Sequence, residues 1–252
     1  TRLSRGLGDV YKRQIYDTVP IKSNRDTTIY SDVGAIILGE IVEKISGLPL
    51  NVFADSMIFK PLGMGTTFFN PPSNKMRRIV PTEFKPDGTI VHGYVHDENA
   101  YSLGGVAGHA GLFSTAKDLA VFSQMMLNDG LYGWKRIFKT ETVNEFTTKA
   151  NVVDGSSRLL GWDSPGGYAS GGIYLSDNSF GHTGFTGTSM WIDPDQGIIV
   201  ILLTNAVHPN RKNKSPKYYD WRQRIHSAVY ESLSIINKNP NLKLRPRWEE
   251  GE

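Results

Sequence analysis

The chain has 252 residues, 39% of them hydrophobic and 21% charged, with 26 Gly, 13 Pro and no Cys. This is globular composition at a size that buries roughly 70–75% of its unfolded surface, and the absent cysteine excludes disulfides, thiol nucleophiles and thiolate-bound zinc. The 28 Lys+Arg exceed the 25 Asp+Glu only because residues 1–14 carry four positive charges and one negative; the rest holds 24 of each, which gives no basic footprint for nucleic acid.

Thr1 to Gln14 shows no helical or strand periodicity and resembles translated adapter sequence found at the ends of assembled environmental reads. It reads as a non-native leader (1–14), which makes the remainder of the chain the C-terminal part of a longer protein. After the polar stretch Ser23 to Thr28, Val33, Ile36, Ile37, Ile41 and Ile45 recur at helical spacing. Ser31 or Asp32 caps that helix and Gly47 ends it. A second helix is expected over Pro49 to Phe59, before the turn at Pro61-Leu62-Gly63. Residues 65–111 are rich in Gly, Pro and Asn, and a loop region this long inside a compact domain is usually functional.

A third helix opens at Ser114-Thr115-Ala116-Lys117-Asp118, with Thr115 and Asp118 as a capping-box-like pair, and closes at Asn128-Asp129-Gly130. A short helix is expected over Thr140 to Thr147. Strand signal concentrates in Phe180 to Gly184, Thr188 to Ile192 and Ile198 to Leu203, read as consecutive antiparallel strands. Trp221, Ile225, Val229 and Leu233 predict a C-terminal helix whose apolar stripe faces the core, and residues 238–252 read as a tail. The longest apolar run, Ile198 to Leu203, is far shorter than the ~20 residues of a membrane span. Helices first, then an antiparallel sheet and a covering helix, argue an α+β fold.

Two motifs fall where side chains can do chemistry. Tyr30-Ser31-Asp32 sits where a loop enters a helix, and His182-Thr183-Gly184 sits on a strand, with Gly187 close behind. Glycine weakens a strand and is tolerated where another backbone approaches closely, as an extended substrate at a sheet edge would. These motifs stand beside YSDVGAIILGEIVEKISG (30–47), PLGMGT (61–66), GHAGLFSTAKDL (108–119) and GHTGFTGTSMWIDP (181–194). The whole is similar to the penicillin-recognising serine hydrolases, which include class C β-lactamases, DD-peptidases and related esterases. Their motifs are S-x-x-K, then Y-x-N or S-D-N, then K-T-G. The segment Val95 to Ala100 further resembles a subgroup fused behind β-N-acetylglucosaminidase-type glycosidases.

The resemblance implies a β-lactamase/transpeptidase-like fold in which residues 15–237 are the C-terminal part, the family's N-terminal strands and nucleophile helix lying upstream. It implies acyl transfer through an acyl-enzyme on a D-Ala peptide, a β-lactam or a simple ester, with no cofactor or metal, in the periplasm or outside the cell. A serine hydroxyl needs an adjacent base. Tyr, with an ordinary pKa near ~10, can act as one only beside positive charge. By resemblance, Tyr30 shares proton transfer with the S-x-x-K lysine, Asp32 orients that network or contacts substrate, and His182 supports it by charge or hydrogen bond. Thr183 binds a substrate carboxylate or carbonyl, Gly184 allows close approach, and the N–H of Phe185 is one oxyanion donor.

Two departures bear on specificity: Asp32 stands where the family has Asn, and His182 where it often has Lys. A third departure is that no S-x-x-K precedes Tyr30. The one such string, Ser114 to Lys117, falls between the other two motifs and is read as a helix cap. The alternative function is a non-catalytic module of the same fold that binds peptidoglycan-like ligands. Local readings compete at several positions. Tyr30 can pack while Ser31 caps, His182 can be an ordinary strand histidine, and Gly184 and Gly187 can mark a bulge. His92 and His96 have metal-pair spacing, but Gly93 opposes the helix that spacing needs. Asp97 and Glu98 are adjacent and point apart, which does not suit paired glycosidase carboxylates. Arg211, Lys212, Lys214 and Lys217 read as a solvated loop.

Overall fold

The computed structural model describes residues 2–18, 27–149 and 153–247. Two units form, Thr1–Asp118 and Leu119–Glu252. In the first, α1 (Arg2–Tyr16) is a helix where the sequence shows no period. Its C-terminal half is held by contacts rather than propensity: Ile15 is buried, Lys12 Nζ meets Glu40 Oε1 at 2.6 Å, and the Tyr16 hydroxyl donates to Glu40 Oε2 at 3.2 Å.

Helix α2 (Asp32–Ser46) begins as expected, with Ser31 as its cap: the Ser31 hydroxyl accepts the Gly34 N–H at 3.2 Å. It ends at Gly47, whose φ of 68° turns the chain out and lets its N–H reach the Glu43 carbonyl. Ile36 and Gly39 are its buried residues, while Ile41 and Ile45, expected on the inner face, are 45% and 82% exposed.

The next helical run is longer than predicted. It passes through α3 (Leu50–Ala54), a π-turn (Asp55–Phe59) and α4 (Lys60–Leu62). Pro61 cannot donate a helical bond and crowds the turn before it, and the widened turn lies there. Residues 65–111 are mostly irregular, but pinned. Strand β1 (Phe68–Phe69) pairs antiparallel with β2 (Leu112–Phe113), and α5 (Glu98–Ser102) is capped by Asp97. A Cβ on Gly108 would stand 2.0 Å from the Ala35 carbonyl, so only glycine lets this loop lie against α2.

Unit 2 takes over within α6 (Ala116–Leu127) and continues through a β3 (Leu131–Tyr132) and β4 (Lys135–Arg136) hairpin into α7 (Thr140–Thr147). The three predicted strands are present as β5 (Phe180–Thr183), β6 (Ser189–Asp193) and β7 (Ile198–Leu202), an antiparallel meander. Phe180 opposes Ile192 and His182 opposes Met190, and Trp191 in turn opposes Val200. Ile173, Tyr174, Leu175, Trp191, Val200, Tyr230 and Leu242 form one core cluster.

Helix α8 (Pro216–Ser232) covers this unit with a different face from the one its apolar residues predict. Trp221 and Leu233 are both 56% exposed and Ile225 is 43% exposed. The buried residues are Asp220, Arg222, Gln223, His226, Ser227 and Tyr230. Polar partners make that possible. Gln223 Nε2 donates to the carbonyls of Ala169 and Lys243, His226 Nε2 meets Ser189 Oγ at 2.9 Å, and the Tyr230 hydroxyl donates to Asp193 at 2.9 Å. Buried polar groups so bonded avoid the desolvation penalty that otherwise puts apolar residues inside. Residues 238–247 lie along this unit: Leu242 is buried, and the Lys243 N–H donates to Gly167 O at 2.8 Å.

Candidate active site

The second motif belongs to unit 1. Capping of α2 by Ser31 fixes the corner, leaving Tyr30 56% exposed one residue before it and Asp32 exposed in the first turn. A carboxylate there is favoured by the partial positive charge at the helix start. Tyr11 of α1 stands near the same corner: partial burial, then the carboxylates of Asp97 and Asp32, push its phenol above the ordinary tyrosine range. His109, given no role by the sequence, is buried, with Nε2 on Asp97 Oδ1 at 2.8 Å. Asp97 also accepts the Ala100 N–H, so it serves as a helix cap. His92 and His96 part ways: His92 Nε2 lies 3.0 Å from the Ile79 carbonyl and His96 Nε2 2.9 Å from Glu83. Among the described residues no group of three or more potential metal-binding side chains gathers.

The Ser114 to Lys117 string is tied into the start of α6 by hydrogen bonds. Ser114 Oγ is 2.7 Å from Thr67 Oγ1, and Lys117 is exposed on the first turn of α6. Thr115 Oγ1 accepts the Asp118 N–H at 3.3 Å, which is half of a capping box. The Asp118 carboxylate does not complete it. It is buried, and one oxygen accepts from Thr66 N at 2.8 Å, Thr66 Oγ1 at 2.7 Å and Thr67 Oγ1 at 2.9 Å.

The third motif belongs to unit 2. His182 lies on β5, with Nδ1 2.8 Å from the Thr183 carbonyl and Nε2 3.3 Å from a guanidinium nitrogen of Arg158. That same nitrogen is 2.8 Å from Asp163 Oδ1. Asp163 exchanges both backbone hydrogen bonds with Gly181, which brings the 158–163 turn alongside the strand. Burial pushes the Asp163 carboxyl above the usual carboxylate range, against the opposing charge of the Arg158 guanidinium.

After Thr183 the chain turns. The Gly184 N–H donates to Thr188 O at 2.8 Å, and Gly187 has a φ of 118°. A Cβ on Gly184 would meet Thr188 Oγ1 at 2.2 Å, so that glycine answers to its own turn. Phe185, at the tip, is 54% exposed. Its carbonyl accepts from Lys214 Nζ at 2.6 Å, and the same ammonium lies 4.9 Å from its ring centroid. Burial and the Arg222 guanidinium hold Lys214 below the ordinary lysine range. The expected solvated loop is therefore, at Lys214, a clamp on the third motif. Neither Arg158 nor Lys214 was marked by the sequence as part of the site; each is placed by pairing between distant segments.

A cavity of about 430 Å³ in unit 2 is lined by Tyr174, Asp177, Gln196, Asn237 and Asn239 among others, and by no motif residue. The chemistry of the motifs, not this hollow, locates the candidate site.

Comparison with known proteins decides the family: the model of the Beta-lactamase family matches residues 9–224. The chain belongs to the Beta-lactamase family. It is 41% identical over 198 residues to the Escherichia coli (strain K12) protein named "Putative D-alanyl-D-alanine carboxypeptidase", covering 71% of this chain and 45% of that protein. A Salmonella gallinarum protein of the same name is 40% identical over 202 residues, 73% of this chain and 46% of its own length. The chain thus spans about half the length of these relatives.

Solved structures show the same β-lactamase/transpeptidase-like α+β fold. Simvastatin synthase from Aspergillus terreus superposes with a TM-score of 0.65 at 16% identity, over 91% of this chain and 63% of that one. A beta-lactamase from Sulfitobacter sp. EE-36 gives 0.64 at 19% identity, over 90% and 64%. Among the described residues no helix is long and apolar enough to cross a membrane.

Proposed function

We propose that this chain is the C-terminal part of a serine acyl-transfer hydrolase acting outside the cytoplasm on D-alanyl-D-alanine-type peptide ends. The observation that carries the reading is the 41% identity over 198 residues to a carboxypeptidase-named relative, beside a family match over residues 9–224 that includes both motifs. The local settings support it. Tyr30 is presented at a capped corner, and His182 sits on a strand running into a glycine turn. The family's motif order places the nucleophile in an S-x-x-K upstream of Tyr30; Ser114, which falls after that motif and lies 2.7 Å from Thr67 Oγ1, is not assigned the role.

In this reading the serine hydroxyl adds to the scissile carbonyl and its proton passes to the Tyr30 and lysine pair. The amine of the departing D-alanine takes that proton back, and water then cleaves the acyl-enzyme. Asp32 orients the tyrosine or contacts substrate. Thr183 takes a substrate oxygen, and the Phe185 N–H donates to the oxyanion. Gly184 gives the turn that presents it.

The test is release of D-alanine from a D-Ala-D-Ala-terminated peptide by the longer protein that includes the upstream segment. Tyr30→Phe is expected to lower kcat/KM by about 10²–10⁴-fold, the range of a lost proton-transfer group. Unchanged turnover in that variant removes Tyr30 from the mechanism. If the longer protein has no S-x-x-K and binds such peptides without cleaving them, it is the non-catalytic module instead.

A further inference from the structure

Both ring nitrogens of His182 face a polar neighbour, and the chemistry of those neighbours restricts the ring. Nδ1 lies 2.8 Å from the Thr183 carbonyl, which can only accept, so Nδ1 carries the hydrogen. Nε2 lies 3.3 Å from Arg158 Nη1, which can only donate, so Nε2 offers its lone pair. The ring that satisfies both bonds at once is the neutral Nδ1–H tautomer. Which nitrogen of a histidine holds the proton is set by the bond made at the other.

Arg158 does not reach this place by chance of a flexible side chain. Its Nη1 is also 2.8 Å from Asp163 Oδ1, and the side chains of the pair are only 34% and 21% exposed. Asp163 is in turn fixed by two backbone bonds to Gly181, the residue before His182. Carboxylate, guanidinium and imidazole therefore stand in a chain that closes on adjacent residues of one strand. A planar guanidinium suits this task, since it is always charged and presents its donors in a rigid fork.

We propose that Arg158, braced by Asp163, is a positioning residue that fixes His182 as the Nδ1–H tautomer and supplies the permanent cation of the third motif. Where relatives carry a lysine in that motif, charge and hydrogen-bonding group are one side chain. Here they are two. The cation is Arg158, and the strand residue presents a neutral ring. What that charge does in turnover rests on the acyl-transfer reading; the tautomer does not.

The experiment is long-range ¹H–¹⁵N NMR of the imidazole rings in the 252-residue chain, with the His182 signals assigned by loss in His182→Gln. The wild type is expected to show a protonated Nδ1 and an unprotonated Nε2. Arg158→Met removes the donor and keeps the stem, and should let Nε2 gain proton occupancy while the Thr183 carbonyl still holds Nδ1–H, leaving the other five histidines unshifted. Arg158→Lys, which retains a donor, should restore the wild-type pattern. An Nε2–H tautomer in the wild type overturns the proposal without any variant having to fold. So does an unchanged Nε2 signal in a folded Arg158→Met protein. Because no step of this readout requires turnover, its failure is distinct from failure of the proposed reaction.

Discussion

Asp118 shows how one side chain decides whether a motif is chemistry or scaffold. A buried carboxylate accepting three bonds on one oxygen is costly to replace, because its donors lose their acceptor and one of them, Thr67, is itself buried. Asp118→Ala should therefore destabilise the chain by roughly 3 kcal/mol in urea unfolding. Ser114→Ala, which removes one neutral hydroxyl pair, should cost only about 1 kcal/mol. A fluorophosphonate probe should leave Ser114 unmodified, since the hydroxyl is engaged with Thr67 and Lys117 lies exposed on the helix. Peptide mapping of the labelled chain checks this, and an adduct at Ser114 would restore that string as a candidate nucleophile. Capping signals were readable in the sequence because they act across three or four residues. Arg158 and Asp163 were not, because their pairing with the third motif is made through a backbone bridge to Gly181 some twenty residues on.

Helix α8 makes the same point for a whole element. Its presence was legible from the spacing of Trp221, Ile225, Val229 and Leu233, but the face it buries was not. Period locates a stripe; it does not say which side has partners. Gln223 donates to backbone carbonyls, Ser227 accepts the Ile173 N–H and Tyr230 donates to the Asp193 carboxylate, and these outweigh the apolar stripe. His226 gives this arrangement a pH signature. Burial, aided by the Arg222 guanidinium, lowers its pKa from 6.5 to about 4. The unfolded chain takes up this proton near 6.5 and the folded chain only near 4. Acidification between those values therefore favours the unfolded state. The contribution is full above pH 6.5 and shrinks as pH falls toward 4, by up to about 3 kcal/mol. Denaturant midpoints measured from about pH 8 to 4 should fall more steeply in the wild type than in His226→Gln, which has no imidazole to titrate. Parallel curves would mean that His226 is protonated in the fold or readily solvated.

At the scale of the molecule, family membership was legible because the motif words recur in order along the chain, and the strands because β5 to β7 are a local meander with short turns. What the C-terminal residues do was not legible, because Leu242 and Leu244 alternate with Lys243 over only three residues, too short a run to mark a strand. The burial of Leu242 is decided by the surface it meets. It packs into the cluster of Ile173, Leu175, Trp191 and Tyr230, the Asn239 N–H donates to Ile173 O at 2.9 Å, and Gly167 bridges Leu242 in parallel. The segment thus closes one side of the unit 2 core. Truncating a buried leucine to alanine typically costs about 2–5 kcal/mol, with the larger values where the site cannot collapse. Leu242→Ala should fall at about 2–4 kcal/mol, since residues 239–243 are tied by backbone bonds and cannot follow the lost volume. Native-state hydrogen exchange should show the loss at the amides of Ile173, Trp191 and Val200, which share the core cluster with Leu242. Lys243→Ala keeps the backbone bond to Gly167 and should leave those amides as protected as in the wild type. If Leu242→Ala also left them unchanged, the C-terminal segment would be resting on the unit without holding it together.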